Sequence, residues 1–211
     1  MRTNSENKTR RKLNPIEILK KKENKQQPIK QQQQHLLNTL QAEHVWCQLF
    51  SEPDAGSDLA NCQTRAVLDG DHFIVNGQKI WQTWGHYSDW MFTLVRTDPE
   101  AKPKHAGISF LLIDMKTPGV KTRPILNIAD DDEFAQVFLD DVIVPKENLV
   151  GPLNGGWKVA NDLLAHERLG TSSPQHALEV VERIKRVAAS TGADKDPVFR
   201  DKLAALRIKI T

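Results

Sequence analysis

Short apolar runs separated by turn residues dominate the middle of the chain, which is typical of strands joined by tight turns. The predicted strands are residues 64–68, 72–75, 90–96, 107–114, 120–124, 134–139 and 141–144. We expect Asp69-Gly70-Asp71 and Asn76-Gly77 to form hairpin turns, because these residues tolerate positive φ. About seven strands at this spacing predict a closed or nearly closed antiparallel barrel or sandwich, which is the natural way to remove open sheet edges.

A helical period replaces the strand pattern in the last part of the chain. The first helix is expected to follow Gly155-Gly156, and Pro174 should kink it or separate it from a second helix. Another helix is predicted to begin near Asp196-Pro197, where an N-cap residue precedes proline at the first helical position. The apolar positions that share a face within these segments are Val159, Ala160, Leu163, Leu164, Ala177, Val180, Val181, Ile184, Val187, Phe199, Leu203, Leu206 and Ile210. The sequence stops inside this period, so we expect an incomplete helical domain.

Residues 1–42 differ from the rest of the chain in charge and hydropathy. They hold ten Lys and Arg against three Asp and Glu, which leaves 19 basic against 24 acidic residues in 43–211. Large apolar side chains are too few in this segment to offset the entropy of ordering it, so we expect a disordered or irregular tail rich in basic residues and Gln. The prediction is an α+β chain with a tail at 1–42, a β-domain at 43–152 and a partial helical domain at 153–211.

Composition excludes several kinds of partner. No uninterrupted apolar stretch approaches the length of a membrane span, and charged residues occupy the place of a signal-peptide core, so a cytoplasmic or mitochondrial matrix protein is expected. The basic tail has no interleaved aromatic residues on which bases could stack, so no nucleic-acid partner is expected. Cys47 and Cys62 are too few for a disulfide framework, and the seven histidines lack paired ligand spacing, so no metal site is expected.

Two stretches carry the candidate chemistry, WCQLFSEPDAGSDLA at 46–60 and NGQKIWQTWGHY at 76–87. Both stretches resemble the flavin-contacting segments of the acyl-CoA dehydrogenase family. Beside that resemblance, they offer hydroxyls, main-chain amides, an aromatic wall and small residues, which together suit a flavin ring. Residues 107–120, 138–151 and 154–168 continue the family pattern in order, and the resemblance spans residues 45 to about 187.

The resemblance implies an FAD site on the β-domain. The matching cofactor-binding positions are Gln48, Phe50, Ser51, Gly56, Ser57, Trp81 and Thr83. In the family, the first three contact the isoalloxazine, the next two lie near the flavin and the pantetheine, and the last two pack against the ring and its polar edge. Considered alone, Trp81 would be interpreted as a core tryptophan, but the complete motif favours the flavin role. Asp54 departs from the glycine usual at this position, which adds a charge near the ligand's phosphates or thioester.

The reaction that the resemblance implies is α,β-desaturation of an acyl-CoA thioester in fatty acid metabolism. A carboxylate removes the α-proton while the β-hydride passes to the flavin. Family members take this base from the C-terminal helical domain or from the helix after the β-domain, where Glu167 matches it and Arg168 matches an arginine near the site. Without the resemblance, this pair would be a solvated ion pair on a helix. The implied partners are acyl-CoA, an electron-transfer flavoprotein or similar acceptor, and further copies in a homo-oligomer.

Two other functions remain open. The sequence resembles only part of the family's chain, so a truncated copy without activity could serve as an interaction module that uses its basic tail and apolar helix faces. Alternatively, a related flavin oxidase or monooxygenase would share the β-domain but use another electron acceptor.

Overall fold

The computed structural model describes residues 29–171 and 174–210, with only the backbone described at 169–171. The chain divides into two compact units, one ending at Ala160 and the other beginning at Asn161. The first unit holds an eight-stranded sheet and the second holds helices, which confirms the predicted α+β class.

Eight strands and four α-helices make up the described part. Helix α1 covers residues 29–40. The strands are β1 (Trp46–Leu49), β2 (Arg65–Asp69), β3 (His72–Thr83), β4 (Trp90–Arg96), β5 (Ile108–Asp114), β6 (Val120–Ile125), β7 (Phe134–Pro145) and β8 (Leu149–Val150). The later helices are α2 (Gly156–Thr171), α3 (Pro174–Thr191) and α4 (Pro197–Ile210).

The strands form one sheet in the order β6-β7-β3-β2-β4-β5-β8, with β1 beside β4. Strands β1 and β2 run parallel to β4, whereas the remaining pairs are antiparallel. The inner face carries the apolar core, whose members are Cys47, Leu49, Ala66, Phe73, Val75, Met91, Val95, Leu111, Ile113, Val137, Leu139, Val142, Val144 and Leu149.

The sheet is not closed into a barrel, because its path ends at β6 and β8. We expected a closed or nearly closed barrel or sandwich, on the argument that open edges are unfavourable. That argument fails here because β8 has two residues, while β6 carries Lys121, Arg123 and Pro124, which protect a free edge in other ways.

The predicted hairpin at Asn76-Gly77 is wrong, since β3 continues through both residues. The register between β3 and β7 shifts between Val75 and Gly77, so this site is a bulge. A Cβ on Gly77 would lie 2.6 Å from Thr64 Oγ1, which explains the glycine by close approach of the chain. The other predicted hairpin is confirmed, because Asp69 pairs with His72 around Gly70.

The prediction of a tail without regular structure extends too far along the chain. Residues 29–40 are helical, whereas residues 1–28 lie outside the described part. The helix is held by Gln31, whose side-chain amide donates to the carbonyls of Glu147 and Leu149. One turn later on the same face, His35 is 7% exposed and its ring lies 4.5 Å from that of Trp90 and 5.2 Å from that of Trp46.

The helices of the second unit follow the predicted pattern. Helix α2 ends before Pro174, where α3 begins, so the proline separates two helices. At the start of α4, a side-chain oxygen of Asp196 accepts a hydrogen bond from the Val198 amide at 2.9 Å, which confirms the predicted N-cap. None of the helices in the described residues is both long and apolar enough to span a bilayer.

Candidate functional site

The two predicted cofactor stretches meet at the carbonyl oxygen of Ser51. The Ile80 amide donates to this oxygen at 3.0 Å, and the Gln82 side-chain amide donates to it at 3.2 Å. The loop after β1 and the end of β3 are therefore joined on either side of Trp81. This is the arrangement that one binding wall built from both stretches requires.

Trp81 occupies a bulge near the end of β3. The register with β7 shifts between Lys79 and Gln82, and the φ of Trp81 is 67°, which is uncommon for a bulky residue. The side chain is 59% exposed, and its ring meets Phe134 edge-on at 6.3 Å. Trp81 is therefore not a core tryptophan. The bulge exposes a large flat ring on the residue between the two that bond the Ser51 carbonyl.

The predicted wall residues differ in how much of each side chain a ligand could reach. Thr83 and Gly56 are exposed, as is Ser57, whereas Ser51 is half-buried. A Cβ on Gly56 would meet no atom within 4 Å, so packing within the chain does not require glycine there. A ligand that comes close to the main chain at Gly56 would be a physical reason for glycine at this position.

Phe50 and Gln48, two further predicted cofactor-binding residues, differ in burial. The Phe50 ring is buried and meets Phe92 and Phe110 edge-on, each at 6.1 Å, so it belongs to an aromatic cluster in the core. A ligand therefore cannot stack on this ring, and the Phe50 carbonyl already accepts a hydrogen bond from Lys79 Nζ at 3.2 Å. Gln48 is half-buried on β1, opposite Phe92 on β4.

Glu52 and Lys79 form a buried ion pair under the wall, which the sequence interpretation missed. Their charged atoms are 2.8 Å apart, with side chains 5% and 0% exposed. Burial alone would raise the pKa of Glu52, but Lys79 and hydrogen bonds from Thr64 and Gln63 outweigh burial and lower the pKa to about 2. Glu52 is therefore charged at neutral pH. Glu52 lies in the stretch 46–60 and Lys79 in the stretch 76–87, and their opposite charges were the one sequence signal for an ion pair.

An aromatic and acidic cluster after β3 was also missed. Trp84 is 58% exposed, has a φ of 54°, and donates its amide to the Glu133 carbonyl at 2.7 Å. The Tyr87 hydroxyl donates to Asp132 at 3.0 Å, and a ring nitrogen of His86 lies 3.3 Å from the same carboxylate. These contacts hold the turn after β3 against the loop before β7. Within the described residues, no group of three or more His, Cys, Asp or Glu is arranged to hold a metal ion.

The two predicted catalytic residues lie on α2, in the second unit. Glu167 and Arg168 are both exposed. The neighbouring His166 places a ring nitrogen 2.7 Å from the Asp162 carbonyl one turn earlier, so its ring is held along the helix. The candidate acid-base residue and the candidate wall therefore belong to different compact units.

Comparison with known proteins agrees with the motifs and the sheet. The profile described as "Acyl-CoA dehydrogenase, middle domain" matches residues 47–142. The chain belongs to the acyl-CoA dehydrogenase family. The match to the middle domain includes both the Ser51 loop and Trp81, so the candidate wall lies within the matched segment.

Relatives of the chain include two proteins of Mycobacterium tuberculosis (strain ATCC 25618 / H37Rv). It is 42% identical over 168 residues to acyl-CoA dehydrogenase FadE34, covering 80% of this chain and 23% of that protein. It is 40% identical over 175 residues to acyl-CoA dehydrogenase IpdE1, covering 82% of this chain and 45% of that protein. The chain thus spans less than half the length of these relatives.

The fold agrees with that of solved family members. The structure of an acyl-CoA dehydrogenase from Geobacillus kaustophilus superimposes with a TM-score of 0.72 at 33% identity, over 86% of this chain and 50% of that one. The likeness therefore extends beyond the 96 residues matched by the middle-domain profile into the flanking segments of the chain.

Proposed function

We propose that this chain provides the flavin-binding wall of an FAD-dependent acyl-CoA dehydrogenase, an oxidoreductase that desaturates the α,β bond of an acyl-CoA thioester. The observation that carries the proposal is the double hydrogen bond to the Ser51 carbonyl, which brings the SEPDAGSD loop and Trp81 together. Family membership supports the same assignment.

The residues of the wall suit the isoalloxazine of FAD. The exposed ring of Trp81 offers a flat surface, and Thr83 adds a hydroxyl two residues along the strand. Ser51 offers a hydroxyl and an anchored main chain, while Gly56 and Ser57 offer room and a further donor. Bound there, FAD would supply the acceptor for the β-hydride of the substrate.

In the proposed reaction, Glu167 removes the α-proton, and the neighbouring Arg168 is the arginine that the family places near the site. This assignment depends on the match of residues 154–168 to the family pattern and on the position of both residues on α2. A carboxylate acts as a general base only within hydrogen-bond reach of the proton that it removes. In the complete complex, the substrate's α-carbon would therefore have to lie beside α2.

The proposed partners are acyl-CoA, an electron-transfer flavoprotein or similar acceptor, and further copies of the family's chain in a homo-oligomer. The two relatives compared above come from a bacterium, which gives no support to the mitochondrial alternative. We propose a cytoplasmic setting.

The test is to mix the 211-residue chain with FAD and to measure bound flavin by its visible spectrum after gel filtration. Acyl-CoA and an artificial electron-accepting dye are then added, and enoyl-CoA is measured by mass spectrometry. We expect bound flavin and dye reduction that Glu167→Gln abolishes. If no flavin is retained at micromolar concentration, the proposal fails. If oxygen is consumed as fast as the dye is reduced, the oxidase alternative replaces it.

A further inference from the structure

Lys79 is a fully buried ammonium group whose hydrogen-bonding capacity is matched by three oxygen atoms. Its Nζ lies 2.8 Å from Glu52 Oε1, 2.7 Å from the Leu94 carbonyl and 3.2 Å from the Phe50 carbonyl. An ammonium group has three protons to donate, so each oxygen receives one. Through these bonds, Lys79 on β3 holds the main chain at Phe50. Lys79 lies two residues before Trp81, and Phe50 lies one residue before Ser51.

Glu52 closes the loop that carries the small residues of the wall. Its Oε2 accepts the Gln63 amide at 2.6 Å, and its Oε1 accepts the Thr64 amide at 3.0 Å. Residues 52 and 63–64 bracket the loop that contains Gly56 and Ser57. One carboxylate therefore joins the beginning of this loop to its end.

Arg96 reinforces the far end of the same loop. Its guanidinium donates to the carbonyls of Ala60 at 2.6 Å and Cys62 at 3.2 Å. Two cations and one anion thus act on main-chain groups of this region, in addition to the bonds that Ile80 and Gln82 make to the Ser51 carbonyl. Polar bonds of this kind are directional, so they fix where each main-chain group lies more narrowly than apolar packing does.

A role in stability alone does not account for this arrangement. Moving two charges out of water costs free energy that their mutual attraction offsets only with good geometry, and buried ion pairs are often replaceable by apolar residues. What an apolar pair could not do is bond the Phe50 and Leu94 carbonyls together with the Gln63 and Thr64 amides. The distinctive contribution of the pair is therefore the geometry of the loop.

We propose that Glu52 and Lys79 are the positioning residues of the flavin wall, because their ion pair fixes the loop 51–62 against the strand end that carries Trp81. The inference rests on the proposed function in that the ligand of the wall is FAD. The clasp itself, meaning the bonds of Glu52 and Lys79 to the loop, can be tested without flavin.

The experiment compares Lys79→Met, the double variant Glu52→Gln with Lys79→Met, and Lys121→Met as a matched control. Lys121 pairs with Asp140 at 3.8 Å on the surface, where both side chains are 72% exposed. Three quantities are measured: thermal unfolding, hydrogen exchange of the amides in 53–64, and the affinity and visible spectrum of bound FAD. Lys79→Met leaves a buried carboxylate without its cation and is expected to unfold most readily.

The double variant decides the inference. We expect this variant to regain cooperative unfolding, because no buried charge is left unpaired. Its loop is no longer preorganised, so we expect the amides of 53–61 to exchange faster and FAD to bind at least about tenfold more weakly. The bound flavin should also lose the fine structure of its visible band. Lys121→Met should match the unsubstituted chain in all three measurements.

Other outcomes separate the inference from the proposed function. A folded double variant that binds FAD with unchanged affinity and spectrum would overturn the positioning role. If the double variant does not fold, hydrogen exchange of the Gln63 and Thr64 amides in the unsubstituted chain decides whether the clasp exists. Exchange through fast local opening would overturn the clasp. Exchange only through global unfolding would support it. If the unsubstituted chain binds no FAD but the loop loosens in the double variant, the clasp stands and the proposed function fails.

Discussion

Asn76 and Asp141 bond each other reciprocally across β3 and β7. The Asn76 side-chain amide donates to Asp141 Oδ1 at 2.8 Å, and the Asp141 main-chain amide donates to Asn76 Oδ1 at 2.9 Å. Asp141 has a φ of 48°, so each strand has an irregularity where the two residues meet. The pair therefore stabilises the point at which the β3–β7 register changes.

Replacing Asn76 with alanine removes both bonds at once. We expect Asn76→Ala to lower the free energy of unfolding by about 1–2 kcal/mol, since each hydrogen bond contributes roughly 1 kcal/mol. Urea unfolding followed by tryptophan fluorescence measures this change. Asp141→Asn is the matched control, because asparagine keeps an acceptor oxygen and tolerates positive φ, so it should cost less than half as much. Equal losses in the two variants would contradict the account.

Glu52 should make stability depend on pH in the acid range. Its pKa is lowered from 4.5 to about 2 in the folded chain, so its contribution is fully present above the unfolded pKa and is lost as the pH falls from about 4.5 towards 2. A difference of this size is worth on the order of 3 kcal/mol. Unfolding free energies from pH 2 to 7 should show this fall, and Glu52→Gln should flatten it. An unchanged slope in the variant would show that other carboxylates cause the acid sensitivity.

His35 predicts a second pH effect, near neutrality. Burial and then the nearby His44 lower its pKa, so the folded chain favours the neutral ring. Stability from this group is therefore fully present above the unfolded pKa of about 6.5 and is lost as the pH falls through it. Because the ring packs against Trp46 and Trp90, tryptophan emission should change between pH 7.5 and 5 as α1 loosens. His35→Leu should abolish that change, whereas the exposed His166→Gln should preserve it.

Trp81→Ala tests the wall directly. Loss of a stacked aromatic ring should weaken FAD binding by about 2- to 12-fold, which corresponds to about 0.5–1.5 kcal/mol. Trp84→Ala is the control, because Trp84 has nearly the same exposure and also has positive φ. Dissociation constants come from quenching of flavin fluorescence. An equal effect of both substitutions would mean that the site is not centred on Trp81.

The sequence predicted features that depend on neighbouring residues. The turn at Asp69-Gly70, the division at Pro174 and the N-cap at Asp196 each follow from residues within one turn of the chain, and the structure confirms all three. Asn76-Gly77 has the same local signal as a hairpin. It forms a bulge instead because Thr64 lies against Gly77 and because Asp141 bonds Asn76 from another strand, and no local pattern encodes these contacts.

In the candidate site, too, the sequence predicted what local motifs encode and missed contacts between residues that are distant in the sequence. The motifs identified the Ser51 loop and Trp81, and the bonds to the Ser51 carbonyl bring the two stretches together. The pairing of Glu52 with Lys79 was not predicted, because the two residues are 27 positions apart and meet only after β1 and β3 are placed. Helix α1 was missed because its anchors are a glutamine amide and an imidazole among tryptophan rings, which hydropathy does not register.

Strand β6 has a consequence for how the chain behaves at high concentration. Growth of a fibril or a swapped dimer through this strand would require a second molecule to pair along a backbone that contains Pro124 and carries the cationic side chains of Lys121 and Arg123. Like charges would face each other in any in-register stack of such strands. Intermolecular strand exchange at this margin of the molecule should therefore be suppressed, and most strongly at low ionic strength.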